Sequence, residues 1–430
     1  METSIQAIII LIITIVLFII NKLPAALVGV GSLFLMVLFG VCSFSEAFGG
    51  FSDSIVILMA SSMVIGIAMF KTGAAKLIGM QVIKFSHGNE KTFLMISCIV
   101  AGLLAMFFAN TAILASFIPI IDSVCRNNKN MKSKNLVLAI ACSVMYGGAS
   151  TLIGCTPQLT ANALIAKLVG EGHNAQMSMW TLTPIGLILF LTFLIYMYFF
   201  GYDRGYNIWR DDADVDLNVS EEKRKSLENP DYDKRKIYTM LVLCVIMIFL
   251  YVTGILSTAM TALFIALLCV FLDLIDVNDI MKELRWDTII FLASCLGIAN
   301  ALTVSKVGEL IGDIVSVSLH SVSNPIIILA IFTVFTLILS QFVTNSTAII
   351  VVLPIAIEMC KSLGYNTLPF TLAITYAASI AFLTPLAAAQ ITMTQVANYK
   401  FTDYFKAGII LSIINVIEII IFVPIIFPIS

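Results

Sequence analysis

Asn110 and Asn345 each stand in a short polar triplet inside an almost wholly apolar run. The first run reads Phe108-Ala109-Asn110-Thr111-Ala112, with Pro119 nine positions after the Asn. The second reads Val343-Thr344-Asn345-Ser346-Thr347, with Pro354 nine positions after its Asn. An Asn side chain offers a carbonyl acceptor and an amide donor, and Ser or Thr offers a hydroxyl. Carbonyl and hydroxyl oxygens suit a hard cation such as Na+; amide N–H groups and hydroxyls suit a carboxylate. Each triplet is followed by a broken apolar segment: Ile153-Gly154-Cys155-Thr156-Pro157-Gln158 in the first half, and Leu383-Thr384-Pro385-Leu386 through Gln390 in the second. A bilayer interior penalises amides and broken helices unless protein or a water-filled cavity satisfies them. Two such pairs at corresponding places point to a transporter binding site.

The rest of the chain is built to sit in a membrane. Of its 430 residues, 60% are hydrophobic and only 12% charged, against about 25% charged in soluble domains. The first apolar run, Ile5–Ile20, lacks a basic leader and a small-residue cleavage site, so it reads as a span. The nine Cys are scattered through apolar runs without C-x-x-C spacing and read as small core residues. His87, His173 and His320 fall in loops. No nucleotide or metal motif is present, which argues against an ATP-driven pump and most membrane enzymes. Nothing points to nucleic acid.

Apolar runs of spanning length cover about 5–20, 24–40, 54–70, 135–165, 183–201, 237–253, 257–274, 287–304, 368–398 and 406–428, and the runs 93–122 and 325–360 carry the triplets. The polar stretch 202–236 divides a first repeat, 1–201, from a second, 237–430. The halves match beyond the triplets: Asp53-Ser54-Ile55-Val56-Ile57-Leu58 parallels Asp287-Thr288-Ile289-Ile290-Phe291-Leu292. If the triplet runs are re-entrant hairpins, each half has five true spans and the second half is inverted. With the N-terminus outside, 21 of the 24 basic residues then face the cytoplasm and only Lys167, Lys306 and Lys361 face out. The positive-inside rule favours that arrangement. The expected fold is therefore an all-α polytopic membrane protein of two inverted five-span repeats, each with a re-entrant hairpin and a broken helix. Both termini are expected outside the inner (plasma) membrane, with 202–236 as a cytoplasmic linker.

Helices that begin at the hairpin tips aim their positive ends at the site and suit an anion. Backbone unwound at Gly154 and Pro385 frees carbonyls for a cation. Asn110, Thr111, Asn345, Ser346, Thr347, Thr156, Pro157, Gln158, Pro385 and Gln390 are the expected substrate contacts. Asn110, Gly154, Ser340, Thr344 and Asn345 are the expected Na+ ligands.

At these residues the chain resembles the divalent anion–sodium symporter family, the carboxylate and sulfate carriers of the ion transporter superfamily. That family carries a Ser-Asn-Thr triplet at each of two hairpin tips; here the copies are Ala109-Asn110-Thr111 and Thr344-Asn345-Ser346. Its unwound Thr-Pro motif appears as Thr156-Pro157-Gln158 and, degraded, as Ala388-Ala389-Gln390. The approach Gly147 to Gly154 and the terminal Tyr399-Lys400-Phe401-Thr402-Asp403-Tyr404 are also similar. The resemblance implies Na+-coupled uptake or exchange of a small di- or tricarboxylate by alternating access, in a homodimer. Two departures matter. Family members have a hydroxyl one turn before each triplet, for which Ser340 serves in the second half while the first has Ala105. Gln also stands for Asn in both unwound motifs. Competing readings are a sodium/proton antiporter or arsenite-type carrier of the same superfamily, and, from another class, a membrane enzyme or non-transporting scaffold. Glu418, inside the last span, is either a proton-coupling group or a residue facing a polar groove. Asp122 and Glu358, which end the two hairpins, read as interfacial.

Overall fold

The computed structural model describes residues 2–20, 22–74, 77, 89–127, 131–169, 177–209, 217, 233–305, 307, 324–385 and 388–429. The three His and most of the segment 202–236 lie outside them. Among the described residues every regular element is helical. The first half holds α1 (Glu2–Ile20), α2 (Ala25–Leu38), α3 (Ser54–Lys71), α4 (Glu90–Ala105), α5 (Asn110–Asn127), α6 (Ser133–Ala149), α7 (Thr156–Val169) and α8 (Thr183–Tyr196). The second holds α9 (Lys234–Thr253), α10 (Thr258–Phe271), α11 (Trp286–Val304), α12 (Pro325–Ser340), α13 (Asn345–Leu363), α14 (Thr367–Ser379) and α15 (Phe401–Ile426).

These residues form helices because a helix closes its own backbone hydrogen bonds, which lipid cannot supply. Polar residues mark where the apolar runs leave the bilayer. Asp53, Asn89, Asp233, Ser257, Asn324 and Asn366 each cap a helix start by accepting a backbone N–H. Gly254 and Gly364 end α9 and α13 in the left-handed region, at φ +64° and +72°, where a side chain would be strained. Among the described residues five helical stretches are long and apolar enough to cross a bilayer: Phe44–Lys71, Thr183–Ile208, Lys234–Thr253, Asn345–Leu363 and Phe401–Ile426. Ile413, Ile417, Ile421 and Ile425 line one exposed face of α15, as a lipid-facing stripe should.

The direction of the triplet-bearing runs follows from three hydrogen bonds with one spacing. Asn135 Nδ2 donates to Glu90 Oε1, Ser143 Oγ to the Cys98 carbonyl and Thr151 Oγ1 to the Met106 carbonyl, each pair 45 residues apart. So α4 and α6 lie side by side and run the same way. The single helix between them in the chain, α5, runs back. In the second half, Phe332 of α12 meets Phe370 of α14 edge-on with ring centroids 6.4 Å apart. Past the ends of these helices, Leu383 N donates to Gln341 Oε1 (2.9 Å) and Thr384 Oγ1 to the Gln341 carbonyl. They too run in parallel, and α13 returns between them, although its length alone would let it cross.

Polar contacts sort the chain into two ends. At one end Lys71 pairs with Asp279 (3.3 Å) and Glu283 (2.7 Å), Lys236 pairs with Asp273 (3.1 Å), and Arg204 donates to the Lys406 carbonyl (2.8 Å). At the other, Lys167 pairs with Asp53 (3.4 Å), Trp180 Nε1 donates to the Tyr251 carbonyl (3.3 Å), and Asn366 N donates to the Ile429 carbonyl (2.8 Å). The matched helices α3 and α11 run antiparallel. The close of α3 at Lys71 meets the approach to α11 at Asp279, while Gly50, ahead of α3, packs on the Ala293 carbonyl farther along α11. Packing is matched as well: α3 lies on α10 and α2 on α11, α4 on α6 and α12 on α14.

Two readings need adjustment. Asp122 and Glu358 are buried rather than interfacial, and each pairs within its own helix, with Arg126 (3.2 Å) and Lys361 (2.8 Å). A carboxylate so placed needs a cation beside it, and one lies one turn on in each case. Eight of the nine Cys are buried as expected, but Cys155 is only partly covered.

Candidate substrate and cation site

One cavity of about 450 Å³ is walled by both hairpin tips and both broken segments. Asn110 and Thr111 enter from the start of α5, and Thr344, Asn345 and Ser346 from the start of α13. Gly154, Thr156 and Pro157 come from the break before α7, and Gln390 from the short helix Ala389–Met393. Met59 and Ser62 of α3 close a further side. Of the lining residues Pro24, Arg285, Asp287, Thr344, Ala389 and Thr392 are exposed, and Pro24, Arg285 and Asp287 lie toward one end of the bundle. That is the end held together by Lys71, Asp279 and Glu283.

The chemistry at the tips is unsatisfied. Asn110 is 5% exposed, and neither atom of its amide has a hydrogen-bond partner; Asn345 is 8% exposed and its Oδ1 has none. Leaving such groups dry and unpaired costs about 1–3 kcal/mol each. A cation on the oxygens and an anion on the N–H groups would remove that cost. Ser62 Oγ, also on the wall, lacks a partner too. Three helices, α5, α7 and α13, begin at the cavity, and their free N–H groups and dipoles favour negative charge there. One set of neutral groups therefore offers donors to an anion and oxygens to a cation.

The Asn110 amide is placed by glycine. A Cβ at Gly148 would lie 2.5 Å from Asn110 Oδ1 and 2.6 Å from Nδ2, and a Cβ at Gly154 would lie 2.3 Å from the Gly148 carbonyl oxygen. Helix α6 and the break after it thus fold back against the first tip at backbone distance. Cys155 lies beside the same amide, and its thiol donates to Gln158 Oε1 at 2.8 Å. Each break is also pinned to its hairpin. Thr151 Oγ1 donates to the carbonyl of Met106, four residues before Asn110, and Thr384 Oγ1 to that of Gln341, four before Asn345.

Several expected contacts lie elsewhere. Gln158 is fully buried and turned away from the cavity, with Nε2 donating to Ser379 Oγ at 2.9 Å, so it braces α7 against α14. Thr347 shares a 2.7 Å hydrogen bond with Thr344 Oγ1, which also accepts the Thr347 N–H and caps α13. Ser340 is buried behind the tip and donates to the Leu337 carbonyl at 2.9 Å. Pro385 is off the wall, and its carbonyl accepts from Thr392 Oγ1 at 2.7 Å. Ser62, Arg285 and the pins Thr151 and Thr384 escaped sequence reasoning. The first two stand alone in their segments. The pins had a signal, a hydroxyl residue at matching places in both breaks.

The citrate transporter family model (CitMHS) matches residues 15–348. The chain belongs to this family. That family is one of citrate transporters, and the resemblance to the divalent anion–sodium symporters fits the same superfamily. The sodium-dependent dicarboxylate transporter SdcS of Staphylococcus saprophyticus is 21% identical over 85% of this chain and 75% of its own length. An uncharacterised transporter of Synechocystis is 28% identical over 44% of this chain, and YfbS of Escherichia coli 30% over 39%. Those matches span only 30% and 27% of the two relatives' lengths. Among solved structures, MtrF of Neisseria gonorrhoeae, described as an antimetabolite efflux pump, superposes with a TM-score of 0.62 at 14% identity, over 90% of this chain and 83% of MtrF. The YdaH transporter of Alcanivorax borkumensis gives 0.59 at 13% identity, over 89% and 87%. At those identities the likeness is one of fold.

Proposed function

We propose that the chain carries a small di- or tricarboxylate across the inner membrane, coupled to Na+, by alternating access between two inverted repeats. The observation that carries this reading is the pair of buried Asn amides with unpartnered atoms, presented by two corresponding tips to one cavity. The anion lies against the helix starts and the amide N–H groups. Na+ lies behind it on Asn oxygens and on carbonyls of the breaks, and is carried as a second substrate. SdcS supports both the sodium and the carboxylate, and the matched, antiparallel packing supports the inverted repeats. In this reading the end of the cavity at Pro24, Arg285 and Asp287 faces the cytoplasm, on the side where the sequence concentrates basic residues, and both termini lie outside. Arg285 at that end draws in an anion from the cytoplasm or speeds its approach. A homodimer is part of the same reading. The test is uptake into proteoliposomes: citrate or a four-carbon dicarboxylate should enter faster under an inward Na+ gradient than under an equal K+ gradient. Equal rates would remove the coupling.

Orientation can be checked separately. On a Cys-free background, a cysteine at Ile255 should react with an impermeant thiol reagent added to intact cells, and one at Lys234 should not. The reverse pattern would overturn the topology.

The two cation sites should differ. Ser340 and Thr344 offer hydroxyls where the first half has Ala105 and Ala109, and a hard cation gains from each added oxygen. Ser340→Ala should raise the Na+ concentration needed for half-maximal uptake while leaving the maximal rate largely unchanged. Ala105→Ser should lower that concentration or leave it unchanged. An unaltered Na+ dependence in Ser340→Ala would take Ser340 out of the site.

A further inference from the structure

Away from the transport cavity, α15 carries three polar side chains on one face: Ser412, Asn415 and Glu418, spaced by three residues. Ser412 is 2% exposed and Asn415 fully buried. Ser412 Oγ, Asn415 Oδ1 and Glu418 Oε2 are all shut off from solvent with no hydrogen-bond partner. The remaining atoms are engaged. Thr192 Oγ1 of α8 donates to Glu418 Oε1 at 2.5 Å, and Asn415 Nδ2 donates to the Tyr146 hydroxyl of α6 at 2.5 Å. Among the described residues no cation pairs with the carboxylate. Of the helices packed on α15, α12 has no titratable residue, and α14 has only Tyr376, whose hydroxyl donates to the Leu182 carbonyl. Apart from Tyr196, α8 has none. Tyr146 and Cys142 come from α6. Tyr202, Asp203, Arg204 and Tyr206 sit on the short helix Tyr202–Ile208 at the end of the bundle, where the Tyr202 hydroxyl donates to Glu90 Oε2 and Arg204 is held by the Lys406 carbonyl. An ionised carboxylate with one hydrogen bond and no counter-ion is unfavourable in a bilayer. A proton on Oε2 removes the charge and creates a donor, and Asn415 Oδ1, one turn earlier on the same face, is an acceptor that lacks one.

A second, narrow cavity of about 50 Å³ approaches this group along α15 but stops at Leu411, two helical turns short of Glu418. It starts at Arg204 and Trp209, at the end of the bundle with most basic residues, and runs between α6, α8 and α15 past Tyr196 to Cys142 and Leu411, the neighbour of Ser412. Its polar walls are also unsatisfied: Asn135 Oδ1, Trp209 Nε1 and the Tyr196 hydroxyl have no partner and their residues are all at least nine-tenths buried. Its lining is mostly apolar, and the volume admits only a few waters, beside the unpartnered polar atoms just named. From Leu411 to Glu418 the route would run past the unpartnered oxygens of Ser412 and Asn415, which could hold water between them.

The geometry points to Glu418 as a proton-binding site of the carrier, filled through this cavity from the end that bears Arg204, so that turnover depends on its protonation. The inference takes from the functional reading only that the chain carries a solute, and the coupling ion at the hairpin tips is a separate matter. The protein reconstituted in lipid should show, by infrared difference spectroscopy, a protonated carboxyl band that titrates with pH and is missing in Glu418→Gln. In Thr192→Ala the band should persist at higher frequency, because the carboxyl has lost its donor. Uptake at saturating Na+ should change with pH in the wild-type protein and lose that dependence in Glu418→Gln. A band that survives Glu418→Gln, or a Glu418→Gln carrier with the wild-type pH profile, would overturn the assignment. If Glu418→Gln does not fold, the band shift in Thr192→Ala decides: no shift would overturn it. Citrate or dicarboxylate binding, followed separately by thermal stabilisation, reports on the transport cavity, so failure of either reading shows by itself.

Discussion

Asn110→Ala and Asn345→Ala should each abolish Na+-driven uptake while the protein still folds and reaches the membrane. Both amides are buried with unpartnered atoms in the cavity, so the apo protein loses little when they are removed. The bound state loses a hydrogen bond to a charged ligand, or a cation ligand, at each tip. One such bond contributes roughly 1.5–3 kcal/mol, which is about 10- to 150-fold in affinity. Because each amide contacts both cargo species in this account, the losses compound. Radiolabelled uptake at several Na+ concentrations checks this. Near-normal rates in either variant would reduce the tips to ordinary helix packing.

Gly148→Ala should be almost as damaging, and for a different reason. Its Cβ would sit 2.5–2.6 Å from both polar atoms of the Asn110 amide, closer than atoms tolerate, so the amide must turn away from its present position. Gly148 lies inside α6, where Ala is favoured over Gly by about 1 kcal/mol. Transport should therefore collapse without a matching loss of thermal stability. Gly31→Ala is the control: nothing lies within 4 Å of its Cβ, and uptake should stay near normal. Full transport in Gly148→Ala would mean that the Asn110 amide is not needed in the place where it stands.

The parts of the fold and site legible in the sequence were those with a strong local contrast. Amides in apolar runs, Pro and Gly breaks, and caps at the ends of apolar stretches each carry a large penalty if misplaced in lipid. They mark Asn110, Asn345, Gly154, Thr156, Pro157 and Gln390 on the cavity wall as well as the helix boundaries. What the sequence blurred is orientation within a turn. Gln158 follows Pro157 by one residue, and about 100° of helical rotation takes it from the wall to Ser379. Thr347 likewise turns inward to the cap at Thr344. Asp122 and Glu358 looked interfacial because their partners Arg126 and Lys361 were not counted with them. Gly148 was quoted only as part of a motif, since nothing in a one-dimensional pattern says that a distant Asn will lie on its Cα. Ser62 and Arg285 reach the site from α3 and from the start of α11, and only the packing of the two halves brings them there.

The central claim is that one cavity binds a carboxylate together with Na+, and thermal stabilisation of the purified protein tests it most directly. Ligands that bind only the folded state raise its melting temperature with concentration. The panel is citrate, four-carbon dicarboxylates, sulfate and arsenite, each in Na+ and in K+. The account predicts that citrate or a dicarboxylate stabilises the protein in Na+, much less in K+, and in neither salt once Asn110 or Asn345 is replaced by Ala. Equal stabilisation in Na+ and K+, or stabilisation by sulfate or arsenite with none by any carboxylate, would contradict it.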